Sequence, residues 1–160
     1  LLLKPFKVGD YIVFPNENQE VTVLKIEMYY TTISSVDNRT IMIPNANLTN
    51  STIVNVTAME KRKLEIKVGI SYRSNLQTAK GILQRLVEEE PRFLEDEKQF
   101  FVDNLGESSI TVGLRAWVLT ENYWPVKWEM NEKIKAEFDN AGIEIPFPQL
   151  DVHVKSAEES

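Results

Sequence analysis

Apolar and polar positions alternate along two stretches in the second half of the chain. Every second residue from Leu64 to Tyr72 is apolar, and so is every second residue from Ile110 to Val118. A period of two predicts strands that bury one face. A shorter apolar run, Phe100–Val102, predicts a further strand between them.

Two other stretches follow the spacing of a helix. The first carries an apolar stripe made of Leu76, Ala79, Leu83 and Leu86, with Ile82 and Val87 beside it. Ser74 and Gln77 predict its N-terminal capping box, and Pro91 must end it. Glycine weakens a helix by about 1 kcal/mol relative to alanine, so we expect a close packing contact at Gly81.

The second helix is predicted from Pro125, which suits a first turn, to a stop at Gly142. Its apolar stripe consists of Val126, Met130, Ile134 and Phe138. Extended pieces at Ile143–Ile145 and Val152–Val154 complete the order β-α-β-β-α-β. This order predicts an α+β domain of the ferredoxin-like type.

The first 62 residues contain five short β-rich stretches and no convincing helix. The stretches are Tyr11–Phe14, Val21–Ile26, Tyr29–Ser34, Thr40–Ile43 and Ile53–Val56. Separated by Gly, Pro, Asn and Asp, they predict a small, strongly bent sheet or a partly open all-β barrel of the Sm-like or OB-like type. We therefore expect a β domain over residues 1–62, a ferredoxin-like domain over 63–150, and a C-terminal strand with its tail over 151–160.

The charge of the chain is unevenly distributed. The formal net charge is −6, and all of it lies after residue 62, where 18 acidic side chains outnumber 12 basic ones. Such a chain lacks the clustered Lys and Arg that bind a phosphate backbone, so nucleic acid is not an expected partner. We interpret the acidic runs Glu88–Glu90 and Glu95–Glu97 as solvated surface.

Few residues in the chain could carry out catalysis or bind a metal. There is no cysteine, and the only histidine, His153, has no neighbouring nucleophile. No spacing of His, Asp and Glu matches a metal site, and no glycine-rich phosphate loop is present. We therefore expect neither an enzyme nor a cofactor. Two binding functions stay open: a soluble module that senses a small molecule through its ferredoxin-like domain, and an Sm-like nucleic-acid binder, which the charge disfavours.

The order of several short motifs resembles the cytoplasmic region of the small-conductance mechanosensitive channel (MscS) family. In chain order they are Lys4–Ile12, Thr31–Ile33, Ile43–Asn45, Ile53–Asn55, Ile70–Tyr72, Ser108–Ser109 with Arg115 and Trp117, Ile134–Phe138, and Ile145–Gln149 with Asp151. Each motif is short, but together and in this order they cover nearly the whole chain.

This resemblance implies a homoheptameric bacterial inner-membrane channel that opens under membrane tension and releases ions and small solutes on osmotic downshock. The chain would form its cytoplasmic cage. Residues 1–6, with the apolar start Leu1-Leu2-Leu3, would end the pore-lining helix, and the other membrane helices would precede it. Residues 151–160 would contribute to a barrel built from several subunits.

The resemblance also implies positions for candidate functional residues. Arg62, Lys63 and Glu65 would lie in a hinge at side portals and bias which ions permeate, although the same segment is equally typical of a charged linker. Residues at interfaces between domains or subunits would be Pro44, Asn45, Asn55, Pro146, Phe147, Pro148 and Gln149. The resemblance implies no metal and no cofactor.

Overall fold

The computed structural model describes residues 5–157, which divide into two units between Glu60 and Lys61. The first unit is an antiparallel sheet with one short helix. Its elements are β1 (Tyr11–Phe14), β2 (Gln19–Ile26), β3 (Tyr30–Ser35), β4 (Thr40–Pro44), α1 (Asn45–Thr49) and β5 (Val54–Asn55). The strands are ordered β4-β3-β2-β1-β5. The edge strands β4 and β5 do not pair with each other, so the predicted barrel is not closed.

Alternate residues of the first three strands form the core of this unit. Ile12, Val21 and Ile33 are fully buried, and Leu48 of α1 covers the same cluster. The expectation of no helix in this half is wrong. The sequence of α1 is Asn-rich and has low helix propensity, so its single turn depends on the burial of Leu48 rather than on local preference.

The second unit contains a three-stranded antiparallel sheet and two helices. Its elements are β6 (Lys61–Ile70), α2 (Leu76–Glu89), β7 (Gln99–Leu105), β8 (Ile110–Leu119), a 3₁₀ turn (Thr120–Asn122) and α3 (Tyr123–Asn140). The sheet order is β6-β8-β7. β6 and β8 pair over ten residues with no shift of register. β6 begins at Lys61, two residues before the predicted domain boundary.

The predicted last strand of this unit is absent. Within residues 5–157 neither Ile143–Ile145 nor Val152–Val154 is a strand. One backbone hydrogen bond of 2.9 Å, from Ser71 N–H to the carbonyl of Glu144, joins the segment after α3 to the end of β6. The observed order is therefore β-α-β-β-α, and the full ferredoxin-like arrangement is not reached.

Helices α2 and α3 cover one face of the sheet with the predicted stripes. Buried residues of the two helices are Ala79, Ile82, Leu83, Leu86, Val87, Val126, Met130, Ile134 and Phe138. They pack on alternate residues of β6 and β8, including Leu64 and Leu114. None of the helices within residues 5–157 has both the length and the apolar character needed to span a bilayer.

Two details of α2 differ from expectation. Asn75 caps the helix by accepting a hydrogen bond of 2.9 Å from Thr78 N–H, whereas the Ser74 hydroxyl accepts from Glu144 N–H. The prediction of a capping box at Ser74 is therefore wrong. A Cβ added at Gly81 would meet no atom within 4 Å, so the predicted close contact is also absent. The stop at Gly142 is confirmed, since its φ of +69° ends α3.

Glu90, which follows α2, is buried rather than solvated. Its carboxylate accepts a hydrogen bond of 2.7 Å from Arg92 Nε and lies 3.3 Å from Lys133 Nζ of α3. Arg92 also pairs with Glu129 of α3. The hydrogen bonds from Arg92 outweigh the opposing effect of burial and lower the pKa of Glu90 to about 2. This cluster joins the end of α2 to α3, and the interpretation of the whole acidic run as solvated surface is wrong at Glu90.

Replacing Glu90 by glutamine should lower the free energy of unfolding at pH 7 by about 2–3 kcal/mol, because Arg92 and Lys133 lose a buried counter-charge. A lowered pKa stabilises the folded state above the ordinary glutamate pKa, and this contribution is lost as pH falls toward 2. The difference in the free energy of unfolding between wild type and Glu90→Gln should therefore disappear as the pH falls from about 4.5 to about 2. Urea unfolding at several pH values measures this difference.

The matched control is Glu89→Gln. Glu89 is exposed and paired only with Arg85 of its own helix in the described contacts, so its loss should change stability by about 0.5 kcal/mol or less. Equal effects of the two substitutions would contradict the role assigned to Glu90.

Candidate functional site

One face of the sheet in the second unit is not covered by its helices. Leu64 of β6 and Leu114 of β8 point to the helices. The residues that alternate with them along each strand point to the opposite side. We call this side the open sheet face. It comprises Lys61, Lys63, Glu65, Lys67, Phe101, Asp103, Gly113, Arg115 and Trp117. Two of the three predicted portal residues, Lys63 and Glu65, lie on it.

The carboxylate of Glu65 is held between two cations. It accepts a hydrogen bond from Arg115, its cross-strand partner, and lies 3.4 Å from Lys67 Nζ. Lys67 in turn lies 3.3 Å from Asp103. The bond from Arg115 is the main cause of a lowered pKa at Glu65, and the bond to Asp103 is the main cause of a raised pKa at Lys67. Both groups are therefore charged and mutually compensated at neutral pH.

Lys63 has a different environment. Its Nζ lies 5.3 Å from the centre of the Trp117 ring, as does that of Lys61. Lys61 is also paired with Asp96. Within residues 5–157, no carboxylate lies in ion-pair distance of Lys63. A cation over an indole ring is held in place by the quadrupole of the ring without losing its charge, so Lys63 carries the uncompensated charge of the open sheet face.

Arg62 points away from this face. Its guanidinium lies 3.6 Å from the centre of the Tyr123 ring, at the first residue of α3. Arg62, Lys63 and Glu65 thus lie within regular β6, where Leu64 is fully buried. The expectation that these residues form a hinge or linker is wrong, because ten consecutive pairs to β8 hold them in a strand.

Asn45, a predicted interface residue, makes its contacts within the first unit. Its side chain donates to the carbonyls of Glu27 (2.8 Å) and Met28 (3.1 Å) and accepts from the buried Thr31 hydroxyl at 2.7 Å. Its backbone N–H donates to the Tyr29 carbonyl at 2.8 Å. Pro44, the residue before it, precedes the first turn of α1. Asn45 therefore fixes the turn between β2 and β3.

Asn55 belongs to a polar cluster around Asp10 that sequence patterns did not indicate. The Asn55 amide donates to the Asp10 carboxylate at 2.9 Å and to the Pro5 carbonyl at 3.1 Å. Lys7 N–H and the Thr57 hydroxyl donate to the same carboxylate. Burial would raise the pKa of Asp10, but these hydrogen bonds outweigh it and the pKa is lowered. The cluster ties the chain entering this unit to β5.

The last predicted interface residues lie in an extended segment after α3. Phe147, between Pro146 and Pro148, is 85% exposed. Gln149 N–H donates to the Ser108 hydroxyl at 3.0 Å, so this segment contacts the turn between β7 and β8. His153 is exposed. Across residues 5–157, no three His, Asp or Glu side chains are grouped so as to hold a metal ion.

Both units match known protein families. Residues 64–145 match the family described as mechanosensitive ion channel MscS, C-terminal, and residues 1–58 match the mechanosensitive ion channel beta-domain. The chain belongs to the MscS family of mechanosensitive ion channels. The resemblance seen in the sequence motifs is thus confirmed.

Individual relatives support the same assignment. The chain is 37% identical over 147 residues to an uncharacterized MscS family protein of Archaeoglobus fulgidus, covering 91% of this chain and 51% of that one. It is 29% identical to a small-conductance mechanosensitive channel of Edwardsiella ictaluri, covering 98% and 54%. The crystal structure of Helicobacter pylori MscS in a closed state superposes with a TM-score of 0.87 at 27% identity, covering 98% and 62%. The chain spans about half the length of the curated relatives it matches.

Replacing Asn45 by alanine should destabilise the first unit by about 1–3 kcal/mol, because the buried Thr31 hydroxyl loses its acceptor and two turn carbonyls lose their donor. Amide hydrogen exchange at residues 27–31 should become faster. Asn47→Ala is the control, since Asn47 is exposed in the same helix and its loss should cost about 0.5 kcal/mol or less. Unchanged exchange in Asn45→Ala would show that the turn does not depend on this side chain.

Proposed function

We propose that this chain is the cytoplasmic cage region of a tension-gated channel of the inner membrane, which releases ions and small solutes on osmotic downshock. The observation that carries the proposal is the likeness to Helicobacter pylori MscS over 98% of the chain, with both units included. Transmembrane helices upstream of residue 1 would embed the protein in the bilayer, and both units of this chain would lie beneath the pore on the cytoplasmic side.

The proposed assembly is a homoheptamer. In it, residues 1–60 form a β domain, residues 61–150 an α/β domain, and residues 151–160 a strand in a barrel shared by seven copies. Residues 1–4 and 158–160 of this proposal lie outside the described part of the chain. The exposure of the C-terminal segment supports this part: Phe147, Leu150, Val152 and Val154 are 69–88% exposed. A run of exposed apolar side chains is typical of a protein contact surface. A strand of such a barrel needs a neighbouring copy, so a single chain offers it no partner.

Side portals of the cage would be bounded by the open sheet face. Arg62, Lys63 and Glu65 remain the proposed portal residues, although Arg62 contacts Tyr123 on the helix side of the strand. Lys63 and Glu65 would therefore have the direct effect on passing ions. Glu65 with Arg115 and Lys67 forms a compensated network that fixes the lining. Lys63 supplies exposed positive charge, supported by Trp117. Screening at physiological salt extends about 8 Å, so a fixed charge acts on ions passing through an opening of similar width.

Replacing Lys63 by glutamate should shift the permeability of the full-length channel toward cations, because each copy changes by two charges without loss of an ion pair. Lys63→Arg keeps the charge and is the matched control. The measurement is the reversal potential of tension-activated currents in excised patches under a salt gradient. The tension threshold should stay the same in all three proteins, because Lys63 lies outside the membrane.

An unchanged reversal potential in Lys63→Glu, with normal currents, would remove Lys63 from the ion path while leaving the channel function intact. Absence of any tension-activated current from the wild-type protein would instead contradict the proposed function itself.

A further inference from the structure

The turn between β2 and β3 presents three large apolar or aromatic side chains to solvent. Met28 is 81% exposed, Tyr29 70% and Tyr30 47%. We call these three residues the aromatic tip. Side chains of this kind are costly to leave in water when they lie together, and a contiguous exposed group of them usually marks a contact surface.

The aromatic tip is held rigidly. Glu27 N–H donates to the Tyr30 carbonyl at 2.8 Å, which closes the turn. The Asn45 side chain binds the carbonyls of Glu27 and Met28 from the other side. The backbone therefore keeps the tip in one conformation, and its exposed side chains do not result from a loose loop.

The tip lies at the end of the first unit where the chain enters. Tyr11 at the start of β1 pairs with Thr22 of β2, and Gly9 N–H bonds to the Val23 carbonyl. Because β1 and β2 are antiparallel, β2 extends beyond the start of β1. It continues for four residues after Thr22 and ends at Ile26. At about 3.3 Å per residue, the turn begins roughly 13 Å beyond the level of Thr22. The turn between β3 and β4, with Val36, lies at the opposite end of the sheet.

We propose that the aromatic tip contacts the lipid–water interface of the bilayer. This inference rests on the proposed function, in which the segment preceding residue 1 crosses the membrane. The end of the unit nearest that segment would then face the bilayer surface. Tyr side chains suit this level because the ring can lie among lipid chains while the hydroxyl stays hydrated. Lys7 is exposed near the chain entry, where a cation matches anionic headgroups.

The test uses the full-length protein reconstituted in liposomes that contain anionic lipid. This chain has no cysteine, so Tyr29→Cys can be labelled with a fluorophore once any cysteine outside it is replaced. Val36→Cys is the matched control, because Val36 is 76% exposed on the same sheet at its other end. Lipids spin-labelled at the headgroup should quench the label at position 29 several-fold more than the label at 36.

Two results would overturn the lipid contact. Equal and weak quenching at positions 29 and 36 would show a tip in water. Protection of position 29 from aqueous iodide without quenching by labelled lipid would show that another protein segment covers it. Met28→Cys repeats the measurement should the Tyr29 variant fail to fold. Tension-activated currents recorded from the same preparation separate the two proposals, since normal currents with no lipid quenching contradict the tip contact alone.

Discussion

The unbroken pairing of β6 with β8 is the constraint on which the second unit depends. Ten consecutive residue pairs hold the register, and a slip by one residue would turn every side chain to the other face. With this register, Leu64 and Leu114 meet the helices and their neighbours form the open sheet face. The buried core and the charged surface are therefore two consequences of the same alternation, and neither can change without the other.

That constraint also determines how the unit accommodates charge. On the open sheet face Glu65 stands opposite Arg115, so their ion pair follows directly from register. The remaining cation, Lys63, is placed over Trp117 by the same pairing. On the helix side of the sheet, charge is compensated by burial among opposite charges. The buried carboxylate of Glu90 pairs with Arg92 and Lys133 and joins the two helices. Among residues 5–157, Lys63 is thus the cation of the open sheet face that has an aromatic ring but no carboxylate beside it.

The sequence predicted those elements whose hydrophobic period is strong, and it missed features that depend on distant partners. The strands ending at Ile70 and Leu119 and the stripe on α3 follow from local spacing alone. The pair Glu65–Arg115 joins residues fifty positions apart, and no local pattern identifies it. Charged residues at the start of β6 therefore looked like a linker. Helix α1 was missed because burial of Leu48, a tertiary effect, overrides weak propensity. The extended pieces predicted at Ile143–Ile145 and Val152–Val154 are not strands, and no strand within residues 5–157 pairs with them.

We propose that the open sheet face borders water inside an assembly of several copies beneath a membrane pore. Electron cryomicroscopy of the intact protein would show whether it does. We expect seven copies around a hollow chamber, with Lys63 and Trp117 at the edge of a side opening. A particle without a chamber, or one in which this face is buried against another subunit, would contradict it.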